Sequence, residues 1–144
     1  DLSNYRESDY VFDVQRFSSF EGCTGPYLLY SAVRAKAILE KIAERGLTKR
    51  EFMPPATASE REIYITLDEF GDVVSTAWRE RSPSVLCEYA YRLANSFNSF
   101  YQECPVLAEK DEKLRSSRIA IVEHVRKTLE QALLLLGIEI PERM

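Results

Sequence analysis

Apolar residues recur every three or four positions along four long stretches of this chain, and glycine or proline closes each stretch. That spacing lines one side of a helix and does not fit the two-residue alternation of a half-buried strand. From Tyr27 to Arg45 the stripe is Leu28, Ala32, Ala35, Leu39 and Ile42, with Thr24 as N-cap, Pro26 in the first turn and Gly46 as the stop. Glu60 to Phe70 aligns Ile63, Leu67 and Phe70, and Gly71 interrupts it. Asp72 to Glu80 is a short helix carrying Val73, Val74, Ala77 and Trp78. Ser82 and Pro83 supply an N-cap and a first-turn residue for the stripe Leu86, Tyr89, Leu93, Phe97 and Phe100, which runs to Cys104-Pro105. The last helix spans about Glu112 to Leu136, with Ile119, Val122, Val125, Leu129 and Leu133 aligned; Gly137 stops it and Pro141 prevents resumption. Thr48 to Ser59, with Pro54-Pro55, reads as a mobile loop. Asp1 to Ser19 has no helical period, and Tyr10-Val11-Phe12 reads as a short strand or an extended arm. The expected fold is all-α, a helical bundle of about five helices with an extended N-terminal arm.

A chain of 144 residues buries roughly 70 % of its unfolded surface, so it needs neither disulfide nor metal to fold. Three cysteines without a C-x-x-C pair point to a reducing, cytoplasmic setting. The longest apolar run, Ala132 to Leu136, is too short for a membrane span. An opening DLSNYRES, without methionine, is expected of a fragment or a processed protein. The net charge of −4 argues against a general nucleic-acid binder, but the charge is uneven. Arg34 to Arg50 holds six basic residues against two acidic, whereas Glu51 to Glu112 holds five against twelve, so one face can favour an anionic partner.

Catalytic machinery is missing. His124 is the sole histidine, so a His-rich metal site is ruled out and every histidine-dependent nucleophile would have to share that one residue. No glycine-rich phosphate loop is present, and the carboxylates are scattered over positions read as solvent-facing. The expectation is no catalytic residue and no metal site. Binding has better candidates. Tyr27, Tyr30 and Arg34 share a helix face at i, i+3 and i+7, and Asn98 and Tyr101 stand at the C-terminal end of the Pro83 helix, apart from its apolar stripe. Exposed tyrosines beside arginine can stack unpaired bases and hold phosphates or base edges. The same spacing also suits half-buried tyrosines with hydroxyls in water, and spacing alone favours that packing role.

The ordered set FEGCTGPYLLYSAVR, YAYRLANSFNSFY, CPVL, SSRIAIVEHV and LLLLGIEIPERM resembles the C-terminal anticodon-binding domain of arginyl-tRNA synthetases over nearly the whole chain. The resemblance implies a parent enzyme that joins arginine to its tRNA with ATP, on a core whose H-I-G-H and K-M-S-K-S type signatures this chain lacks. It implies an inactive fragment without a cofactor of its own: 1–19 as the junction from the missing catalytic core, and 20–144 as the bundle that grips the arginine tRNA anticodon stem-loop. It further implies a cytoplasmic monomer whose only other partner is the missing catalytic domain, with no membrane contact. Carried residue by residue, anticodon contact falls on Tyr30, Arg34, Tyr101 and Met144, and secondarily on Tyr27 and Asn98. The sequence departs from the family pattern at Cys23 (usually Asn), Leu29 (often Gln), Ala32 (often His or Tyr) and Ser84 (often His). The alternative is a helical protein-protein interaction module, without nucleic-acid binding, whose partner surface is the acidic middle segment.

Overall fold

The computed structural model describes residues 2–5, 9, 11, 13–17 and 22–142. Among them are one single-turn helix, α1 (Val14–Phe17), and five longer ones: α2 (Gly25–Glu44), α3 (Ala58–Asp68), α4 (Phe70–Glu80), α5 (Pro83–Glu103) and α6 (Glu112–Leu135). The expected all-α bundle is what forms. In the segment read as an extended arm, the described residues include the turn of α1, while Tyr10 and Phe12 lie outside the described residues.

α5 is the hub, packing against α2, α3, α4 and α6. Its stripe is buried as the period requires, with Tyr89, Leu93, Phe97 and Phe100 at 1 % exposure or less. Ile42 of α2, Ile63 of α3 and Val125 and Leu129 of α6 close on it, so the bundle holds one core of its own. Tyr89 sets the register between α5 and α3, donating its hydroxyl to the Thr66 carbonyl at 2.9 Å.

The caps follow local chemistry. Thr24 Oγ1 accepts from the Tyr27 N–H at 3.3 Å, and Asp111 Oδ1 accepts from the Leu114 N–H at 2.9 Å. α2 and α6 end alike. Gly46 and Gly137 take positive φ, and the following Leu47 and Ile138 N–H groups reach back to the Ile42 and Leu133 carbonyls. Gly71 does not interrupt the helix as expected: the chain breaks between α3 and α4 at Glu69, and Gly71 sits inside α4. Ser82 stands at the expected N-cap position, ahead of Pro83, without the expected side-chain bond; its hydroxyl pairs with that of Ser84 at 2.7 Å, in a buried contact. Trp78 does not join the apolar face of α4 and is 85 % exposed. α4 has no fully buried residue, because it touches the bundle through Phe70, Val73, Val74 and Ala77, which are only half-covered.

The 48–59 segment, expected to be mobile, is tied down along its length. Lys49 pairs with Glu112 at 3.0 Å and Arg50 with Glu123 at 2.8 Å. The Met53 N–H donates to Ser117 Oγ, the Met53 carbonyl accepts from the Tyr64 hydroxyl, and the Ala56 N–H donates to Glu60 Oε2. Hydrogen bonds from Lys127 and Arg50 hold the Glu123 carboxyl below the usual carboxylate range, and Lys49 does the same to Glu112. Carboxyls so depressed stabilise the fold above their unfolded range and lose that contribution as pH falls through the lower, folded values. Protection factors for amides in 48–59 should therefore drop below about pH 4 before those in α5 do. Unchanged protection down to pH 3 would show that the partly buried Arg50–Glu123 pair does not hold the segment; the exposed Lys49–Glu112 pair contributes little.

The buried charge network

Glu60 overturns the reading of the carboxylates as solvent-facing. It is the third residue of the capping box of α3, where its Oε2 accepts from the Thr57 N–H, yet it is only 3 % exposed. Its Oε1 accepts from Arg118 Nε at 2.8 Å, and Arg118 is itself 5 % exposed. Arg118 Nη1 donates to Glu109 Oε2 at 2.6 Å and to the Pro105 carbonyl at 3.1 Å. One guanidinium thus joins the start of α3, the 104–111 connection and α6. Bonds from the Asp111 and Lys110 N–H groups, with Arg118 adding to them, hold Glu109 below the usual carboxylate range.

Candidate nucleic-acid interface

Five of the six residues singled out from sequence come together along the seam between α2 and α5. The Tyr27 hydroxyl donates to Asn95 Oδ1 at 2.7 Å and accepts from Asn98 Nδ2 at 2.7 Å. Asn98 Oδ1 accepts from Arg34 Nη1 at 3.0 Å. The Arg34 guanidinium lies over the Tyr101 ring, 4.8 Å from its centroid, where the face of the ring attracts a cation. The chain of contacts crosses sequence separations of 64 to 71 residues. Tyr30, one turn before Arg34 on the same helix face, is 48 % exposed. The sixth residue, Met144, lies outside the described residues.

Half-buried Tyr27, Arg34, Asn98 and Tyr101 thus hold one another, while Tyr30 stands free of the core. Each polar atom of the Asn98 amide has a partner, so the amide orientation is determined and Arg34 is presented in one position. The guanidinium has five donors and spends one of them on Asn98, leaving others for an anion or a base edge. Such an arrangement has the geometry to stack one planar ring on Tyr30 and to pair an acceptor with Arg34, with little side-chain ordering left to do. The two tyrosines therefore differ: Tyr27 is packed, with its hydroxyl bonded to Asn95 and Asn98 and not left to water, and Tyr30 is a surface residue.

Tyr91 and Asn95 belong to this seam and were not singled out from sequence. Tyr91 meets Tyr27 edge-on, with ring centroids 5.6 Å apart, and Asn95 accepts the Tyr27 hydroxyl. Their signal was in the spacing: Tyr91, Asn95 and Asn98 step by four and three residues, on a different line of α5 from the buried stripe. The positions that depart from the family pattern turn inward. Ala32 is buried, Leu29 packs against the core, and Cys23 lines an apolar hollow with Leu28, Cys87, Leu136 and Ile138. Burial raises the Cys23 thiol and pushes that of Cys87 up to about 11, so both stay protonated at neutral pH. His124 is exposed and packs edge-on against Phe52, 4.8 Å between centroids.

Residues 28–144 match the family model described as the DALR anticodon binding domain. The chain is 49 % identical over 144 residues to arginine–tRNA ligases of Maricaulis maris and Hyphomonas neptunium, and 40 % identical over 148 residues to that of Agathobacter rectalis. Each alignment takes in 100 % of this chain and only 24 % or 25 % of the relative. Among solved structures, the Thermus thermophilus arginyl-tRNA synthetase superposes with a TM-score of 0.74 at 38 % identity, over 88 % of this chain and 22 % of that one. The arginyl-tRNA synthetase of Plasmodium falciparum shares the fold, with a TM-score of 0.83 at 24 % identity over 100 % of this chain and 25 % of that one. The chain spans about a quarter of the length of the curated relatives it matches.

Proposed function

From the premise that this chain belongs to the DALR anticodon-binding domain family, we propose that its α2–α5 seam takes the anticodon loop of an arginine tRNA. The observation that carries the reading is the prearranged Arg34–Tyr101 stack beside the exposed Tyr30 ring. Splayed bases stack on Tyr30, and Arg34 and Asn98 offer polar contacts to base edges or phosphates. Tyr101 backs the guanidinium, and Met144 at the chain end contributes a further contact. Residues 1–19 serve as the junction to a catalytic portion that joins arginine to its tRNA with ATP in the cytoplasm. The chain itself, as a monomer, binds and does not catalyse, and its protein partner is that catalytic portion. Among the described residues, no helix is long and apolar enough to cross a membrane.

Titration of the 144-residue chain against a fluorescent arginine anticodon stem-loop tests this. Binding should fall steeply with salt, because neutralised phosphates release counterions, and should exceed that for a stem-loop with an unrelated anticodon. Equal affinity for both would remove the sequence-reading role. The alternative, a protein-interaction module working through the acidic 51–112 segment, draws support from Trp78, which stands 85 % exposed there. Absence of stem-loop binding even at low salt would favour it.

A further inference from the structure

The hydrogen bonds along the α2–α5 seam have a direction, and Arg34 sets it. A guanidinium carries donors and no acceptor, so Asn98 must turn its oxygen toward Arg34, and Oδ1 lies 3.0 Å from Nη1. That choice points Asn98 Nδ2 at the Tyr27 hydroxyl, 2.7 Å away, and the hydroxyl oxygen has to accept. The single Tyr27 proton must then go elsewhere, and Asn95 Oδ1 takes it at 2.7 Å.

Asn95 ends this chain of bonds and stands apart from the guanidinium. It is exposed, and its side chain bonds to Tyr27 rather than to Asn98 or Arg34. The Tyr27 ring meets Tyr91 edge-on, 5.6 Å between centroids, which leaves the hydroxyl little room to move to a new place. Without an acceptor at position 95, the Tyr27 proton is free to turn to the Asn98 amide. An amide that accepts it presents Nδ2 to Arg34, donor against donor, and the bond that holds the guanidinium is lost. Water competes for the same proton because Asn95 is exposed, so the amide then samples both orientations. Tyr101 does not replace the lost bond. Its ring face attracts the cation above it but leaves the guanidinium free to turn in its own plane, whereas the Asn98 oxygen fixes that angle.

We infer that Asn95 is a positioning residue of the seam: its carbonyl oxygen takes the Tyr27 proton and so holds the Asn98 amide, and through it Arg34, in the orientation that meets RNA. The effect passes from α5 to α2, back to α5 and again to α2, through hydrogen bonds alone. The inference rests on the RNA-binding function proposed above.

The test is a set of double-mutant cycles, read by titrating the 144-residue chain with the arginine stem-loop and by thermal melts of every variant. Asn95→Ala should weaken binding about 3- to 10-fold. Its melting temperature should stay within about 3 °C of wild type, because the residue is exposed. The same substitution should cost less than about 2-fold in an Arg34→Met or a Tyr27→Phe background, since each removes a group through which Asn95 acts. It should also cost less than about 2-fold in an Asn98→Asp background, because both carboxylate oxygens accept and no orientation is wrong. In the free protein, the Arg34 Nη signals in a nitrogen-15 spectrum should be separate in the wild type and merge in Asn95→Ala as the guanidinium begins to turn. Equal losses with and without Arg34 would make Asn95 a direct RNA contact and overturn the inference. Wild-type affinity in Asn95→Ala, alongside a Tyr30→Ala variant that binds weakly, would overturn the positioning role and leave the anticodon reading standing. A wild-type chain that binds no stem-loop would overturn both.

Discussion

Arg118→Leu is expected to cost the bundle about 3–5 kcal/mol, which is a large part of the stability of a domain this size. The loss comes from the carboxylates left behind more than from the guanidinium removed. Glu60 is 3 % exposed and would keep a charge with only the N–H groups of Ala56 and Thr57 to answer it. Glu109 would lose its strongest cationic neighbour, and the Pro105 carbonyl its donor. Urea unfolding gives the difference. A second variant separates the two causes. Arg118→Leu combined with Glu60→Gln keeps a side chain able to cap α3 while removing the stranded charge, so it should recover part of the lost stability. A single Arg118→Leu within about 1 kcal/mol of wild type would show that water reaches this network and screens it.

Tyr30→Ala is expected to weaken arginine stem-loop binding by about 1–3 kcal/mol, or roughly 5- to 150-fold, if its ring stacks on a base. Folding stability should move by no more than about 0.5 kcal/mol, because the ring is 48 % exposed and sits outside the core cluster. That split between binding and stability is what distinguishes it from its neighbour. Tyr27→Ala removes a hydroxyl shared by Asn95 and Asn98 and a ring packed on Tyr91, so it should disturb stability and binding together. Tyr30→Ala binding with wild-type affinity would mean that the exposed ring is not the stacking platform. The seam would then work through Arg34 and Tyr101 alone.

The helices were legible where their signals are local. Thr24, Pro26 and Gly46 bound α2 because a cap hydroxyl, a fixed φ and a left-handed residue act within one turn of themselves. The α5 stripe was readable because burial of Tyr89, Leu93, Phe97 and Phe100 requires only a helical period and a neighbour. Signals with competing partners were misread. Ser82 has the right residue type and position for a cap, but a buried serine two residues on takes its hydroxyl. Gly71 looked like a break, yet nothing there requires a positive φ, and the chain turns at Glu69 instead. The tethered 48–59 segment could not be recognised as such, because its anchors Glu112, Ser117 and Glu123 lie more than sixty residues away.

The candidate site divides along the same line. Period alone placed Tyr27, Tyr30 and Arg34 on one helix face, because 3.6 residues per turn is a property of the backbone and needs no partner. It could not say which tyrosine is packed and which is free, since that depends on where α5 lies. The fold sets Asn95 and Asn98 against Tyr27, sets Tyr101 beneath Arg34 and leaves Tyr30 to solvent. The charges make the same point more sharply. Glu60 was among the carboxylates read as solvent-facing and became half of a buried pair with Arg118, with the Ser116 hydroxyl orphaned two positions away. Amphipathic spacing is enough to determine five helices and most of their core. Hydrogen bonds and ion pairs between residues 58 to 71 positions apart have no local signature, so only the packed bundle decides which polar groups are satisfied and which remain to bind.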